Sequence, residues 1–295
     1  MENKYLFDFI GNTPLIKVQN LLAKEGVTLH LKLEGNNPAG SVKDRAAFNM
    51  ISSALKRNEI KKGDYLIEAT SGNTGIALAM IAQQFGIEIE LVMPENSTKE
   101  RIQTMEAYGA KVTLTPAEDG IEGSRVYAEK QVIEKGYYML DQFANEDNWK
   151  MHYKTTGPEI WNDTSGEITH FVSAMGTTGT IIGVSTYLKE KNNNIQIIGA
   201  QPTDDSRIPG IRKWTKEFLP KIFNPKKVDS IIEVSEDEAR TMTKKLAKEE
   251  GVFSGMSGGG AVVASLKLAN QLSKGTIVTI IPDRGDRYLS SDLFE

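Results

Sequence analysis

Four short stretches combine residue types that can do chemistry. The first is Gly40-Ser41-Val42-Lys43-Asp44-Arg45. A helix reads onward from here, so Lys43 stands in its opening turn, where the macrodipole disfavours a cation and favours the neutral amine. A neutral lysine can form a Schiff base with a carbonyl and afterwards act as a base. The plain alternative is a surface lysine paired with Asp44. Lys32 is the competing lysine; it lies on the opposite strand face from Leu29, Leu31 and Leu33 and is expected to face solvent. The second stretch, Ala69-Thr70-Ser71-Gly72-Asn73-Thr74-Gly75, follows a strand and opens a helix. Free amides there can hold an anion such as a carboxylate, and Thr70, Ser71, Asn73 and Thr74 add neutral donors. Ala69 and Asn73 stand where a serine-hydrolase elbow needs glycines, so Ser71 is not read as a nucleophile. The third is Gly176-Thr177-Thr178-Gly179-Thr180. Glycines let the backbone approach a phosphate, and the threonines add hydroxyls. It has neither the lysine of a Walker loop nor G-x-G-x-x-G, so it fits one phosphate held without a side-chain cation better than a nucleotide. The fourth, Ser254-Gly255-Met256-Ser257-Gly258-Gly259-Gly260, offers the neutral hydroxyl of Ser257 at a helix opening. Taken singly, the last three read equally well as helix caps and glycine turns.

Alternating elements would have to bring these stretches together. Strand patterns read at 27–34, 65–69, 87–93, 111–114, 138–140, 170–174, 195–200, 231–234 and 276–281. Helical patterns read at 44–57, 74–85, 98–108, 123–135, 179–189, 235–250 and 257–272. Ser97 with Glu100 and Ser235 with Glu238 each read as a capping box. Residues 203–228, with Pro209, Pro220 and Pro225, read as a long irregular excursion. Strand–helix alternation predicts two packed parallel-sheet α/β domains, with ligands beyond the carboxyl ends of the strands. The informative residues therefore follow the strands, and Gln142 joins the four stretches on that ground.

Composition narrows the class. The 295 residues carry 35 Lys and Arg against 39 Asp and Glu, a net charge of −4, which gives no basic excess for nucleic acid. Cys is absent, which removes disulfides, iron–sulfur clusters and a thiol nucleophile. The three histidines are His30 and His170 in strands and His152 in a helix; structural roles are expected for all three, and no metal site. No apolar run reaches the ~18–20 residues of a membrane span, and the opening residues do not resemble a signal peptide. A cytoplasmic protein with no membrane partner is the expectation.

A candidate Schiff-base lysine, an anion loop, a cation-free phosphate loop and a neutral hydroxyl are together what pyridoxal 5′-phosphate requires. In order and spacing they resemble the fold-type II pyridoxal-phosphate enzymes, whose architecture is tryptophan synthase β-like, and among them the cysteine synthase (O-acetylserine sulfhydrylase) and cystathionine β-synthase family. The likeness runs from Gly11-Asn12-Thr13-Pro14-Leu15 to Asp286-Arg287-Tyr288-Leu289-Ser290. Residues 176–180, Ile208-Pro209-Gly210-Ile211-Arg212 and Pro282-Asp283-Arg284-Gly285-Asp286 look most like its B-type branch. Two positions depart: Gly258, where relatives often have a second Ser, and Pro282, where B-type relatives can carry Cys.

The resemblance implies roles. Lys43 would carry the cofactor and serve as catalytic base. Asn73 would meet its O3′, Gly176, Thr177, Thr178, Gly179 and Thr180 its phosphate, and Ser257 its ring nitrogen. Thr70, Ser71, Asn73, Thr74 and Gln142 would bind the amino-acid carboxylate. A smaller mobile domain over 37–145 would close on a larger one made of 1–36 and 146–295, in a homodimer. The implied activity is that of a transferase in cysteine biosynthesis. O-acetylserine would lose acetate to leave an α-aminoacrylate, and sulfide or thiosulfate would add, giving L-cysteine or S-sulfocysteine. Arg212 would grip the oxygens of thiosulfate. The alternatives are a cystathionine β-synthase-type or O-phosphoserine-using enzyme, a serine or threonine dehydratase, whose usual regulatory domain would have to follow Glu295, and a non-catalytic binding module, against which Lys43 speaks.

Overall fold

The computed structural model describes residues 4–70 and 72–295. In chain order the elements are β1 (Leu15–Lys17), β2 (Val27–Leu33), α1 (Lys43–Lys56), β3 (Tyr65–Ala69), α2 (Asn73–Phe85), β4 (Glu88–Pro94), α3 (Lys99–Ala107), β5 (Lys111–Thr115) and α4 (Gly120–Lys135). Then come α5 (Glu146–Lys154), α6 (Thr156–Asp163), β6 (His170–Ala174), α7 (Gly179–Lys191), β7 (Gln196–Pro202), β8 (Ser230–Val234), α8 (Glu236–Glu250), α9 (Met256–Gln271) and β9 (Gly275–Ile281). They build a six-stranded sheet ordered β1-β2-β9-β6-β7-β8 and a three-stranded sheet ordered β3-β4-β5. Both are parallel apart from β1, which runs antiparallel to β2.

Each sheet is apolar on both faces because helices cover both. In the large sheet Leu29, Leu31 and Ile198 pack toward Leu246 of α8 and Val262 of α9. On its other face Phe171, Ile197 and Val278 meet Ile160 of α6 and Ile181 of α7. In the small sheet Leu66 and Leu91 pack with Met50 of α1 and Ile76 of α2, while Ile67 and Val92 face Ala128 of α4. Helix α1 thus leaves the large sheet at β2 and buries its apolar stripe in the small-sheet core. Truncating such a side chain, Met50→Ala for instance, costs ~2–5 kcal/mol.

Strand order positions the site. β2, β9 and β6 are neighbours and parallel, so the loops at 34–42, 282–286 and 175–178 leave one edge together. They are stitched there: Val42 N–H donates to the Pro282 carbonyl at 2.8 Å, and Ser41 forms an isolated bridge with Asp283.

Four sequence expectations are corrected. Residues 138–140 form no strand; Tyr138 makes a single bridge to Leu66 at the edge of the small sheet. The Ser97–Glu100 capping box does not form. Thr98 caps α3 without a side-chain bond, Ser97 turns back to the Pro94 carbonyl, and Glu100 accepts from Ser290 instead. The Ser235–Glu238 box is present. Helix α4 begins at Gly120 rather than residue 123. Lys32 is buried, because α6 lies over the strand face that alternation assigned to solvent. Its ammonium meets Glu159 at 3.0 Å, Asp163 at 2.9 Å and the Thr13 carbonyl at 2.7 Å. No described helix is long and apolar enough to cross a membrane.

Candidate active site

Lys43 is the first residue of α1. Two residues on, the Arg45 guanidinium bonds Glu34 at 2.7 Å and Glu159 at 2.6 Å, and the Thr13 hydroxyl donates to Glu34 at 2.6 Å. Burial pushes Glu34 up, but Arg45 outweighs it and holds the carboxyl at about 2. This ionic layer fixes the opening turn of α1. Removing one partner of such a pair costs ~3–5 kcal/mol, since a charge is left buried alone. The Lys43 amine, by contrast, has no hydrogen-bond or ion-pair partner among the described residues. Burial pushes its pKa down; Asp283 and Glu34 resist that only in part. A lysine so placed leans toward the neutral amine.

Lys43 shares one cavity with Gly176, Thr177, Thr178, Thr180 and Pro282. The loop between β6 and α7 enters it strained: Thr178 is left-handed at φ +71° and caps α7. Its hydroxyl is buried with no partner among the described residues. The neighbouring hydroxyls are braced from behind. Asn148 on α5 donates to Thr177 at 3.2 Å, and His152 sits 3.3 Å from the Thr180 hydroxyl. Gly179 lies against Asn148 with no room for a Cβ. An orphaned hydroxyl, a helix N-terminus and a partnerless amine in one cavity, without a cation in the loop, fit a phosphorylated aldehyde. The residues present therefore accommodate pyridoxal phosphate.

The second stretch stands beside it. Thr70 is buried, and the Thr74 hydroxyl donates to Gln142 at 2.7 Å, so the structure joins two of the residues expected at a carboxylate. Ser71 lies outside the described residues. Asn73 opens α2, but its amide is engaged elsewhere: it donates to Asp283 at 2.6 Å and accepts from Arg287. Ser257, the second residue of α9, is buried, makes no side-chain hydrogen bond among the described residues, and lies against Gly210, which also lines the cavity. Arg212 is tied by its backbone to the Met175 carbonyl at 2.9 Å, and its guanidinium sits 5.3 Å from the Trp214 ring centre. Lys213 beside it turns away to Asp204 and Glu233, at 2.6 Å each.

Several residues at the site escaped the sequence reading. Asp283 is a buried hub: one oxygen accepts from Asn73 and from Tyr288 at 2.6 Å each, and the other has no partner among the described residues. Arg287 joins Asn73 to the Ala39 carbonyl. Asn148 spans two loops, donating to Gln142 O at 2.8 Å as well as to Thr177. Glu68 accepts the backbone N–H groups of Asp141 at 3.2 Å and Gln142 at 3.4 Å, and burial pushes its carboxyl up to about 7. The sequence held a signal for Asp283 and Arg287, which lie in quoted motifs. A lone Asn in a polar helix and a Glu in a strand carry none. His30 lies in β2, His170 in β6 and His152 in α5.

Comparisons with known proteins give the family. The family described as "Pyridoxal-phosphate dependent enzyme" matches residues 6–283. The chain is 56% identical to cysteine synthase B of Pseudomonas aeruginosa, over 98% of this chain and 96% of that protein. Among solved structures it resembles cysteine synthase from Entamoeba histolytica, with a TM-score of 0.93 at 38% identity over 99% of this chain and 91% of that one. It also resembles an O-acetylserine dependent cystathionine beta-synthase from Helicobacter pylori, with a TM-score of 0.91 at 35% identity over 100% of both chains. The chain belongs to the cysteine synthase family of pyridoxal-phosphate dependent enzymes.

Proposed function

We propose that the protein is a transferase that makes L-cysteine from O-acetyl-L-serine and sulfide by β-replacement, and S-sulfocysteine when thiosulfate is the donor. The observation that carries this is the partnerless Lys43 amine in one cavity with residues 176–180. When bound, pyridoxal phosphate supplies the electron sink that acidifies the substrate Cα proton. The chain's residues do the rest. Gly176, Thr177, Thr178, Gly179 and Thr180 would hold the phosphate through backbone amides and hydroxyls. Asn73 would meet O3′, and Ser257 would offer the ring nitrogen a neutral hydroxyl rather than a carboxylate, which would make the bound group a shallower electron sink and favour β-elimination over transamination. Thr70, Ser71, Asn73, Thr74 and Gln142 bind the substrate carboxylate. Lys43 takes the Cα proton; the Cβ–O bond breaks and acetate leaves with its electron pair; sulfur forms the new bond at Cβ; Lys43 returns the proton to Cα. Arg212 grips the oxyanion end of thiosulfate, since a guanidinium can bond two sulfonate oxygens at once. Residues 37–145 close over the site against 1–36 and 146–295, in a cytoplasmic homodimer.

Borohydride reduction of the holoenzyme and peptide mapping should place the label on Lys43, and Lys43→Ala should lower turnover by about 10²–10⁴-fold or more. A label on another lysine overturns the assignment. Steady-state assays of O-acetylserine, O-phosphoserine and serine, each against sulfide, thiosulfate and homocysteine, test the substrates. A preference for homocysteine would make the protein a cystathionine β-synthase-type enzyme instead.

A further inference from the structure

A primary amide can stand in either of two orientations, because its carbonyl and amino ends are alike in size. The neighbours of Asn73 permit one. The Arg287 guanidinium, which can only donate, bonds Asn73 Oδ1, and Asn73 Nδ2 donates to Asp283 Oδ2 at 2.6 Å. Turned over, the amide would set its N–H groups against the guanidinium and its oxygen against the carboxyl. An amide nitrogen carries two hydrogens, and the Asp283 bond takes one of them. The fixed orientation therefore leaves Asn73 one N–H to give to a ligand.

Both arms that fix it are built into the fold. Arg287 and Asp283 are buried, Arg287 within the short helical turn Gly285–Tyr288. The other terminal nitrogen of Arg287 donates to the Ala39 carbonyl. Among the described residues Arg287 makes no ion pair; its donors go to two neutral oxygens, one of them on Asn73. Space is kept for the guanidinium by Gly40, left-handed at φ +82°, where a Cβ would lie 2.4 Å from Nη2. On the other arm, a Cβ at Gly255 would lie 2.4 Å from Asp283 Oδ1 and 2.5 Å from the Tyr288 ring. Tyr288 in turn donates to Asp283 Oδ2 at 2.6 Å, and the Arg101 guanidinium stands 4.9 Å from its ring centre.

The two arms also end beside the Lys43 cavity. Gly40 is three residues before Lys43, and Asp283 follows Pro282, which lines the cavity. On pyridoxal phosphate the C3 hydroxyl adjoins the aldehyde at C4. A side chain that ties the turn before Lys43 to Asn73 thus sets the spacing between the amine that takes the aldehyde and the donor that meets its neighbour.

We propose that Arg287 and Asp283 are positioning residues that hold the Asn73 amide in a single orientation in the resting holoenzyme, with one N–H kept for the cofactor O3′, and that Arg287 fixes that amide against the turn leading into Lys43. This rests on the reading of Asn73 as the O3′ contact and adds the two residues that orient it. Neither touches the reacting atoms, and no bond is made or broken by them.

The readout is the absorbance of the resting holoenzyme, taken as the ratio of the cofactor's long-wavelength band, with O3′ ionised, to its short-wavelength band, with O3′ protonated. A donor at O3′ favours the ionised form. Asp283→Asn keeps the shape but adds a donor, which lets the Asn73 amide turn over, and should lower the ratio about three- to tenfold, the worth of one hydrogen bond. Arg287→Lys, whose single nitrogen cannot replace both donors of the fork, should lower it about two- to threefold. Both effects should vanish in an Asn73→Ala background, because the two arms act through that amide. Thermal midpoints show that each variant is folded. A ratio unchanged in Asp283→Asn and Arg287→Lys but lowered in Asn73→Ala overturns the proposal and leaves the reading of Asn73 standing. Effects that persist in the Asn73→Ala background also overturn it, since the two residues would then act on the fold and not on the amide. A ratio unchanged in Asn73→Ala itself overturns the reading of Asn73, and the proposal with it.

Discussion

Burial sets the charge of the groups around the cavity, and in opposite directions. It drives Lys43 toward the neutral amine, pushes Asp44 up to about 7, and holds His152 at about 3, with Arg45 adding to the effect on the imidazole. Neutral His152 can accept at one nitrogen and donate at the other, and it spans the Thr156 hydroxyl at 2.9 Å and the Thr180 hydroxyl. The histidine is therefore a brace behind the loop at 176–180. Its folded pKa lies below the ordinary 6.5, so the unfolded chain takes up the proton first, and stability present above pH 6.5 is lost as pH falls toward 3. Denaturant unfolding at pH 7 and pH 5 should show His152→Gln losing less stability than wild type on acidification, by up to about 2 kcal/mol. Equal losses would mean that the imidazole is not held neutral. At this scale the sequence was legible where a residue sat in a motif, as Lys43 and Thr178 did. It was opaque for Lys32, whose burial depends on Glu159 and Asp163 of a helix more than a hundred positions away.

Between elements the deciding contact is β3 with the turn before α5. Glu68, near the end of β3, receives two successive backbone N–H groups of that turn, where Asp141 is left-handed at φ +52°. The same strand leads into Thr70 and Thr74, and the turn carries Gln142. One carboxyl therefore sets both halves of the expected carboxylate subsite. Its folded pKa of about 7 lies above the ordinary 4.5, so the folded state holds the proton longer, and stability falls as pH rises from 4.5 through 7. Glu68→Gln should flatten that fall, by something on the order of 2 kcal/mol between pH 5 and 8. It should also raise KM for O-acetylserine more than it lowers kcat, because an amide cannot accept both N–H groups and the turn loosens. A kcat loss with unchanged KM would place Glu68 outside the subsite. Long periodic elements were legible from sequence. Missed were β1, three residues at an edge, the helices α5 and α6, and the exact start of α4; the strand read at 138–140 is in fact one bridge, from Tyr138 to Leu66.

For the whole molecule, alternation of strand and helix was enough to predict two parallel sheets, but not which strands would be neighbours. Pairing of β2 with β9 joins Val27 to Gly275, and no local pattern encodes that register. Yet this pairing gathers the loops at the cavity. The sheets are joined through α1, which belongs to the small-sheet core yet leaves from β2, and through contacts among polar loops: Asn73 to Asp283, Arg287 to Ala39, Asn148 to Thr177 and Gln142. Hydrogen bonds between polar loops exchange for bonds to substrate or water at little net cost, unlike a packed apolar interface. On the closure proposed above, residues 37–145 would move when a carboxylate replaces internal partners of Asn73 and Thr74. A reactive Cβ must also be shielded from water, which gives closure a function. Hydrogen exchange of the holoenzyme with and without a bound amino-acid product should show new protection at 70–75 and across 120–145 together, with β6, β7 and β9 unchanged. Protection confined to 70–75 would mean that the carboxylate is gripped by a local loop and that the two bodies stay where they are.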